Sequence, residues 1–447
     1  MLAYIKQNFS DGDVLYASQL NAMDAQIALN ETMIVDIYDV LVNATEYGLS
    51  TAAADNSPAL LAAIQAATLK HVPVFLPAGT YIFASPIVVP DSATIYLVGV
   101  ANAFAASMNR ELVGTEYHAK ESGTTLIYRG EGSMFMHKGA YFSFKNITFA
   151  NQNESKRYLY NARVVGQVTV DSSTKGKIYA ENCLFAGWKT VAGDTYITDD
   201  LESVLGGTLT KPETLEQCCI VASRCRFSFC GSAFNMGVDS RLDDCSINKC
   251  YYGVSFYGAA GFSALANCRI EWCLFDGVLG NQAHHITVTG CEFDRCGHAA
   301  IRLTSCTSCN IVGNMMRRNG ADPDLTADAA TRNIHLYING CTGGTITGNS
   351  TVAKNISDDG SSTTVRPVNA YNIKSNSNMV ISGNDFTGCT TGTYNRYTDN
   401  TECRTTGNLG FNDIERGINF IDLTTGTKYV VCVDNGKLTM EEITEEG

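Results

Sequence analysis

The chain lacks the features that mark several large functional classes. Lys and Arg total 32 against 45 Asp and Glu, a formal charge of −13. No basic stripe interrupts that balance, so nucleic acid is excluded as a partner, because phosphate binding needs cations gathered in one place. No apolar run reaches the roughly 18 residues of a membrane-spanning helix, which excludes ordinary membrane insertion. Residues 1–19, MLAYIKQNFSDGDVLYASQ, lack the basic-then-apolar build of a signal peptide, and synthesis in a cytoplasm is expected. There is no glycine loop for a phosphate and no nucleophile elbow for acyl transfer. Proline is scarce, 8 residues against 40 glycines, which suits a turn-rich all-β body.

What the chain does have is a repeat. The segments CRFSFC (225–230), CSINKC (245–250), CRIEWC (268–273) and CEFDRC (291–296) recur at steps of 20, 23 and 23 residues, and NMMRRN (314–319) follows after another 23 with Asn in both cysteine positions. Each unit alternates small or apolar inward positions with polar outward ones, as a short strand does. A turn then leads to a second strand: AFNM (233–236), GVSF (253–256), DGVLG (276–280), AAIRL (299–303). A period in this range without helical stretches or a Leu/Asn consensus predicts an all-β fold, a right-handed parallel β-helix. The interior Asn persists in GNMM (313–316), GNST (348–351) and GNDF (383–386), at steps of 35, read as the same coil with a loop about a dozen residues longer.

Seventeen cysteines invite disulfides, but residues stacked on adjacent coils stand about 4.8 Å apart with parallel Cα–Cβ bonds, beyond the roughly 3.8 Å between Cβ atoms that a disulfide prefers. Free buried thiols are expected. Cys306-x-x-Cys309 with His284, His285 and His298 is a metal alternative, but no second pair completes four ligands. No metal and no cofactor is predicted.

Residues 47–83, YGLSTAAADNSPALLAAIQAATLKHVPVFLPAGTYIF, resemble the opening segment of the pectate-lyase-like superfamily in its phage tailspike branch. There a Gly/Ala/Asp/Asn turn leads into a capping helix, a strand, a Pro-x-Gly turn and a Tyr-containing strand. Asp55, Asn56, Ala63, Ile64 and Gln65 match the helix, and Val74, Leu76, Pro77, Gly79 and Tyr81 the strand pair. His71-Val72-Pro73 departs from the Gly-Gly usual before the strand. FSDGDVLYASQLNAM near the N-terminus resembles leader segments of phage tail and baseplate-associated proteins, and IDLTTGTKYVVCVDNGKLTMEEI (421–443) resembles C-terminal hairpins on phage structural proteins.

Three regions are expected: an attachment and oligomerisation segment at 1–45, the β-helix with its capping helix at 46–410, and a C-terminal β-hairpin region at 411–447. Leu20, Met23, Ile27, Ile34, Ile37 and Leu41 recur at helical spacing between Ser18 and about Asn43, a stripe that needs a partner surface, such as the same helix in sister chains.

With the cysteines inward, the residues one and three places after each first cysteine form outward columns. One reads Arg226, Ser246, Arg269, Glu292, Met315 and the other Ser228, Asn248, Glu271, Asp294, Arg317. Glu271 and Asp294 then lie about 5 Å apart on neighbouring coils and Glu292 about 7 Å from Asp294 along one strand. Carboxylate pairs at such separations serve retaining and inverting glycosidases, and crowded like charges supply the protonated acid. Glu271, Glu292 and Asp294 are the candidate catalytic residues, with Arg269, Arg317, Tyr252 and Trp272 as candidate sugar-binding ones. The competing reading is a solvated ladder of alternating charges. Asp322, Asp324 and Asp328 form an acidic loop that lacks the glycine and distal Glu of an EF-type calcium site.

The resemblance implies a homotrimeric virion protein, made in the bacterial host cytoplasm. Residues 1–45 would meet phage tail or baseplate proteins, and the coils would bind, and in one reading depolymerise, bacterial surface polysaccharide. A non-enzymatic receptor-binding or structural spike and a free pectate-lyase-like polysaccharide enzyme are the alternatives.

Overall fold

The computed structural model describes residues 40–101, 110–113, 116–119, 123–130, 132–151, 163–167, 176–188, 190–192, 219–236, 239–257, 261–320, 333–353, 369–389, 396–410, 418–421, 428–434 and 437–442. Its body is a right-handed parallel β-helix in which each coil feeds three sheets. Among the described residues the first sheet holds 13 strands, from Val42–Asn43 to Arg404–Thr406, and the second holds 11, from Gly79–Phe83 to Asp385–Gly388. The third runs in two stretches, 4 strands from Ile87–Val88 to Thr190–Ala192 and 7 from Ser232–Met236 to Arg396–Thr398.

The register reproduces the sequence period. Arg226 pairs with Ser246, Ser246 with Arg269, Arg269 with Glu292, Glu292 with Met315, Met315 with Ser350 and Ser350 with Asp385. The sequence reading named two strands per coil; the one it did not name is the first-sheet strand before each first cysteine, as in Arg241–Asp243, Ala264–Ala266 and Thr287–Thr289.

Three interior ladders hold the coils in that register. Phe149, Phe185 and Phe227 stack with ring centroids 5.2 Å apart and planes within 4° of parallel, and Ile247, Ile270, Phe293 and Met316 continue the column. The cysteines line the corners beside it, all free among the described residues and, apart from Cys219 and Cys403, buried. Where the cysteines stop, asparagine replaces them. Asn349 donates to the Ile311 carbonyl at 2.9 Å and accepts the Asn314 amide at 3.0 Å, and the same contacts recur at Asn314, Asn384 and Asn408. Each amide thus bridges a turn N–H and a strand carbonyl of the coil before it.

The turn between the first and second sheets needs one left-handed residue per coil. Asn146, Asn182, Asp244, Asn267, Gly290, Gly313, Gly348, Gly383 and Gly407 fill it, residue types that adopt this conformation at least cost, and Arg224 is the exception at φ 53°.

Helix α1 (Ser57–Lys70) matches the expected cap. Pro58 stands in its first turn, Leu60, Ala63, Ile64 and Ala67 are buried, and it packs against the opening strands of the first sheet. Asn56, fully buried, accepts the Ser50 amide at 2.8 Å and donates to the Ser50 and Ile82 carbonyls at 3.0 Å, tying the helix start to the second sheet. His71 closes the helix in the left-handed region at φ 56°, the conformation for which glycine is usual.

The helix expected from Ser18 to about Asn43 lies outside the described residues up to position 39. At its far end Val42–Asn43 is a strand paired with Val74 and Phe75, which corrects that boundary. The C-terminal hairpin is present as Lys428–Asp434 against Lys437–Glu442, with Ile418–Ile421 as a third antiparallel strand.

Two histidines inside the solenoid make stability depend on pH. Burial holds His137 down to about 4 and His335 down to about 3, the latter opposed only in part by its contact with the Val352 carbonyl. Both are neutral when folded, so the unfolded chain binds more protons below its histidine pKa of about 6.5. Stability is therefore expected to fall as pH drops from about 6.5 toward 4. Denaturant midpoints across that range check this, and an unchanged slope in His137→Gln/His335→Gln would refute the assignment.

Candidate functional site

The outer face of the second sheet carries the predicted columns. The central residue of each three-residue strand points inward, so the flanking pair points out. Arg269–Glu271 and Glu292–Asp294 pair in register, setting Glu271 beside Asp294 and Arg269 beside Glu292. Glu271 and Glu292 are diagonal neighbours, about 8 Å apart at the backbone from the strand spacing and the two-residue rise.

Each carboxylate has its own cation. Glu271 meets Arg269 at 3.1 Å and accepts from the Asn248 amide at 2.9 Å, and Glu292 meets Arg317 at 3.4 Å. Asp294 differs. It is 2 % exposed, bound by Arg318 through both oxygens and by Arg295 at 3.3 Å. The expectation of an open carboxylate at 294 is corrected: the turn residues Arg295 of its own coil and Arg318 of the next close over it.

That turn builds a column which alternation alone does not reveal. Phe229, Lys249, Trp272, Arg295 and Arg318 all adopt the left-handed conformation, with φ between 53° and 55°. Lys249 lies 5.6 Å over the Phe229 ring and Arg295 lies 4.7 Å over Trp272. Trp272 stays 47 % exposed and is available to a ligand. Tyr252 is not. It is 1 % exposed and packs on Phe275 at 5.1 Å, so it is a core residue and no sugar platform.

Toward the first-sheet corner the same face opens into a groove of about 380 Å³, lined by Asn182, Arg224, Arg226, Ser246, Asn267 and Arg269 among others. Arg224 is paired with Glu181.

Two further clusters escaped the sequence reading. On the first sheet Tyr96, Tyr141 and Tyr179 are 47 %, 48 % and 42 % exposed. Ser143 pairs with both Tyr96 and Tyr179, so those two rings stand two coils apart, about 9.6 Å. On the third sheet Arg302 donates to Asp276 at 3.0 Å and lies 5.2 Å over Tyr337. Burial opposes the Arg302 charge, and Asp276 outweighs it.

The metal alternative finds no support in the geometry. Cys306 and Cys309 are buried, His298 is buried against Phe275, and among the described residues no group of three or more metal-binding side chains converges. The acidic loop with Asp322, Asp324 and Asp328 lies outside the described residues. Among the described residues no helix is long and apolar enough to cross a membrane.

Two family models match: "Rhamnogalacturonase A/epimerase, pectate lyase-like" over residues 41–255 and "Right handed beta helix region" over 214–370. The chain is thus a right-handed parallel β-helix that is similar to pectate-lyase-like proteins over its first half. Among solved structures, the enzymatically active domain of bacteriophage CBA120 tailspike protein 2 is similar at TM-score 0.55 and 12 % identity, with 87 % of this chain covering 56 % of that one. The Agl-KA catalytic domain is similar at TM-score 0.45 and 11 % identity, covering 83 % and 66 %. DFA-IIIase of Arthrobacter chlorophenolicus A6, as a point mutant in complex with DFA-III, is similar at 0.48 and 11 %, covering 77 % and 83 %. The chain spans little more than half of the tailspike domain it matches.

Asp294→Asn separates structural from chemical roles. Removing the charge leaves the buried Arg318 and half-buried Arg295 uncompensated, so a loss of about 2–4 kcal/mol in stability is expected. Chemical denaturation reads it; a cost within about 0.5 kcal/mol, the range of an ordinary surface substitution, would show that Asp294 is not the anchor of the two arginines.

Proposed function

We propose that this chain is a phage tailspike-type protein that binds bacterial surface polysaccharide along the outer faces of its coils. The observation that carries this is the rigid register of the second sheet, which sets Arg269, Glu271, Glu292 and Arg317 side by side with exposed Trp272 at their margin. Such a surface offers hydrogen bonds to hydroxyls and an indole edge to a sugar ring on a scaffold that does not deform.

For cleavage, Glu271 and Glu292 are the pair with access. Their backbones stand about 8 Å apart on the diagonal, and the reaction proposed for them is the inverting one, in which one carboxylic acid protonates the leaving oxygen and the other carboxylate activates water. Arg269 and Arg317 position the two. Asp294 supports the floor and does not take part. A specific observation favours the second reading, adhesion without cleavage: both carboxylates already hold an arginine, which a substrate would have to displace.

Reducing-end release from a panel of purified bacterial surface polysaccharides decides between them. A hydrolase loses roughly 10³-fold or more in rate in Glu271→Gln or Glu292→Gln, keeps its rate per folded molecule in Asp294→Asn, and is insensitive to EDTA. Binding without release on every chain leaves the adhesive spike. No binding at all refutes the proposal.

The attachment role of residues 1–45, the location on the virion and the trimer belong to the same proposal. Light scattering on the intact chain is expected to give about three times 48.2 kDa, and a monomer would overturn the trimer.

A further inference from the structure

We infer that the groove at the corner of the first and second sheets is an anion subsite, and that the polysaccharide taken by this face is acidic, with a carboxylate or phosphate group seated between Arg226 and Arg269. The inference rests on the polysaccharide-binding reading and names the substrate class within it.

The site is made by one small residue. Arg226, Ser246 and Arg269 occupy the same outward position on three successive strands. The two guanidinium groups therefore rise from strands about 9.6 Å apart, with only the Ser246 hydroxymethyl between them. The void is the groove of about 380 Å³, and Arg224, Asn182 and Asn267 close its side toward the first sheet. The step that creates the gap is also the short one: Arg226 to Ser246 is 20 residues, and the following coils step by 23.

The charges in this groove are unevenly satisfied. Arg224 is paired with Glu181 and Arg269 with Glu271. Arg226 is half-buried, and its guanidinium has no hydrogen-bond or ion-pair partner among the described residues. Burial pushes its guanidinium below the ordinary value, and the nearby Glu271 only partly offsets this. An arginine that bears desolvation without a counter-charge gains most from an incoming anion, which accepts its forked donors in two parallel hydrogen bonds. Asp244, exposed at the rim, is the acidic side chain in the lining and limits the groove to one such group.

Backbone strain points to the same place. Arg224 stands in the left-handed turn position that Asn, Asp or Gly fills in the neighbouring coils. An ordinary side chain there costs about 1–2 kcal/mol, and it delivers a third guanidinium to the groove wall.

The test uses the full chain on immobilised bacterial surface polysaccharides, acidic and neutral. In parallel, glucuronate and inorganic phosphate are titrated against the wild type and followed by NMR. Saturable binding of one of the two small anions is expected, and Arg226→Gln should weaken it about tenfold, with Arg226→Lys in between. The anion that binds tells carboxylate from phosphate, and carboxyl reduction or dephosphorylation of a bound polymer should abolish its capture. Thermal melts confirm that the variants fold. Capture of neutral chains, or capture indifferent to Arg226→Gln and to charge removal, overturns the acidic substrate while leaving polysaccharide binding intact. Absence of capture from every chain refutes the polysaccharide reading itself, and the small-anion titration then decides the groove alone: no saturation by either anion overturns it.

Discussion

Everything in this molecule depends on one coil lying in register on the next. A parallel solenoid has no core of its own within a single turn; each coil buries its apolar residues only by meeting equivalent residues above and below. The stacked phenyl rings of Phe149, Phe185 and Phe227, the free thiols at the corners and the asparagine amides that succeed them are three chemical solutions to that requirement. The rings bury large apolar area, the thiols fill the corners as small apolar groups, and the amides bridge a turn N–H and a strand carbonyl of the coil before. Along a corner column cysteine gives way to asparagine, as Cys291 does to Asn314. Register is kept throughout while its chemistry changes.

Register also governs the outer surface, because whatever stands on one coil is placed beside its equivalent on the next. Charges on the second sheet therefore satisfy one another across coils, as Arg317 and Glu292 do, or along one strand, as Arg269 and Glu271 do. Such pairs are worth little to stability when exposed, but they fix rotamers. The result is a face with defined polar geometry on a scaffold whose backbone cannot relax without breaking the interior ladders. That rigidity explains how a chain of modest charged content can present a well-defined polar surface without a deep cleft.

The sequence made the period, the inward cysteines, the interior asparagines, the capping helix and the pairing of Glu271 with Asp294 legible, since each is a matter of residue type recurring at a fixed interval. It did not reveal the burial of Asp294, because that is decided by Arg318, 24 residues away, and by a left-handed turn whose occupants (Phe229, Lys249, Trp272, Arg295, Arg318) follow no single residue type. Tyr252 misled for a related reason: an aromatic after a turn reads equally well as platform or core, and only the position of Phe275 on the next coil settles it. The tyrosine strip on the first sheet was hidden by insertions, which separate Tyr96, Tyr141 and Tyr179 by unequal stretches of chain although the strands that carry them are neighbours.

A regular ladder is self-satisfied, and a ligand competes poorly against partners already in place. Binding should therefore concentrate where the repeat is broken and a group is left without its cross-coil partner. Glu271, Glu292 and Asp294 sit in the most regular part of the solenoid, where successive steps are equal and every carboxylate has a cation. Arg226 sits at the irregular step, beside a serine where its neighbours carry long side chains, next to a strained Arg224. By this reasoning the carboxylates hold the shape of the face, and the arginine groove at its corner is where that face has free energy left to spend on a ligand.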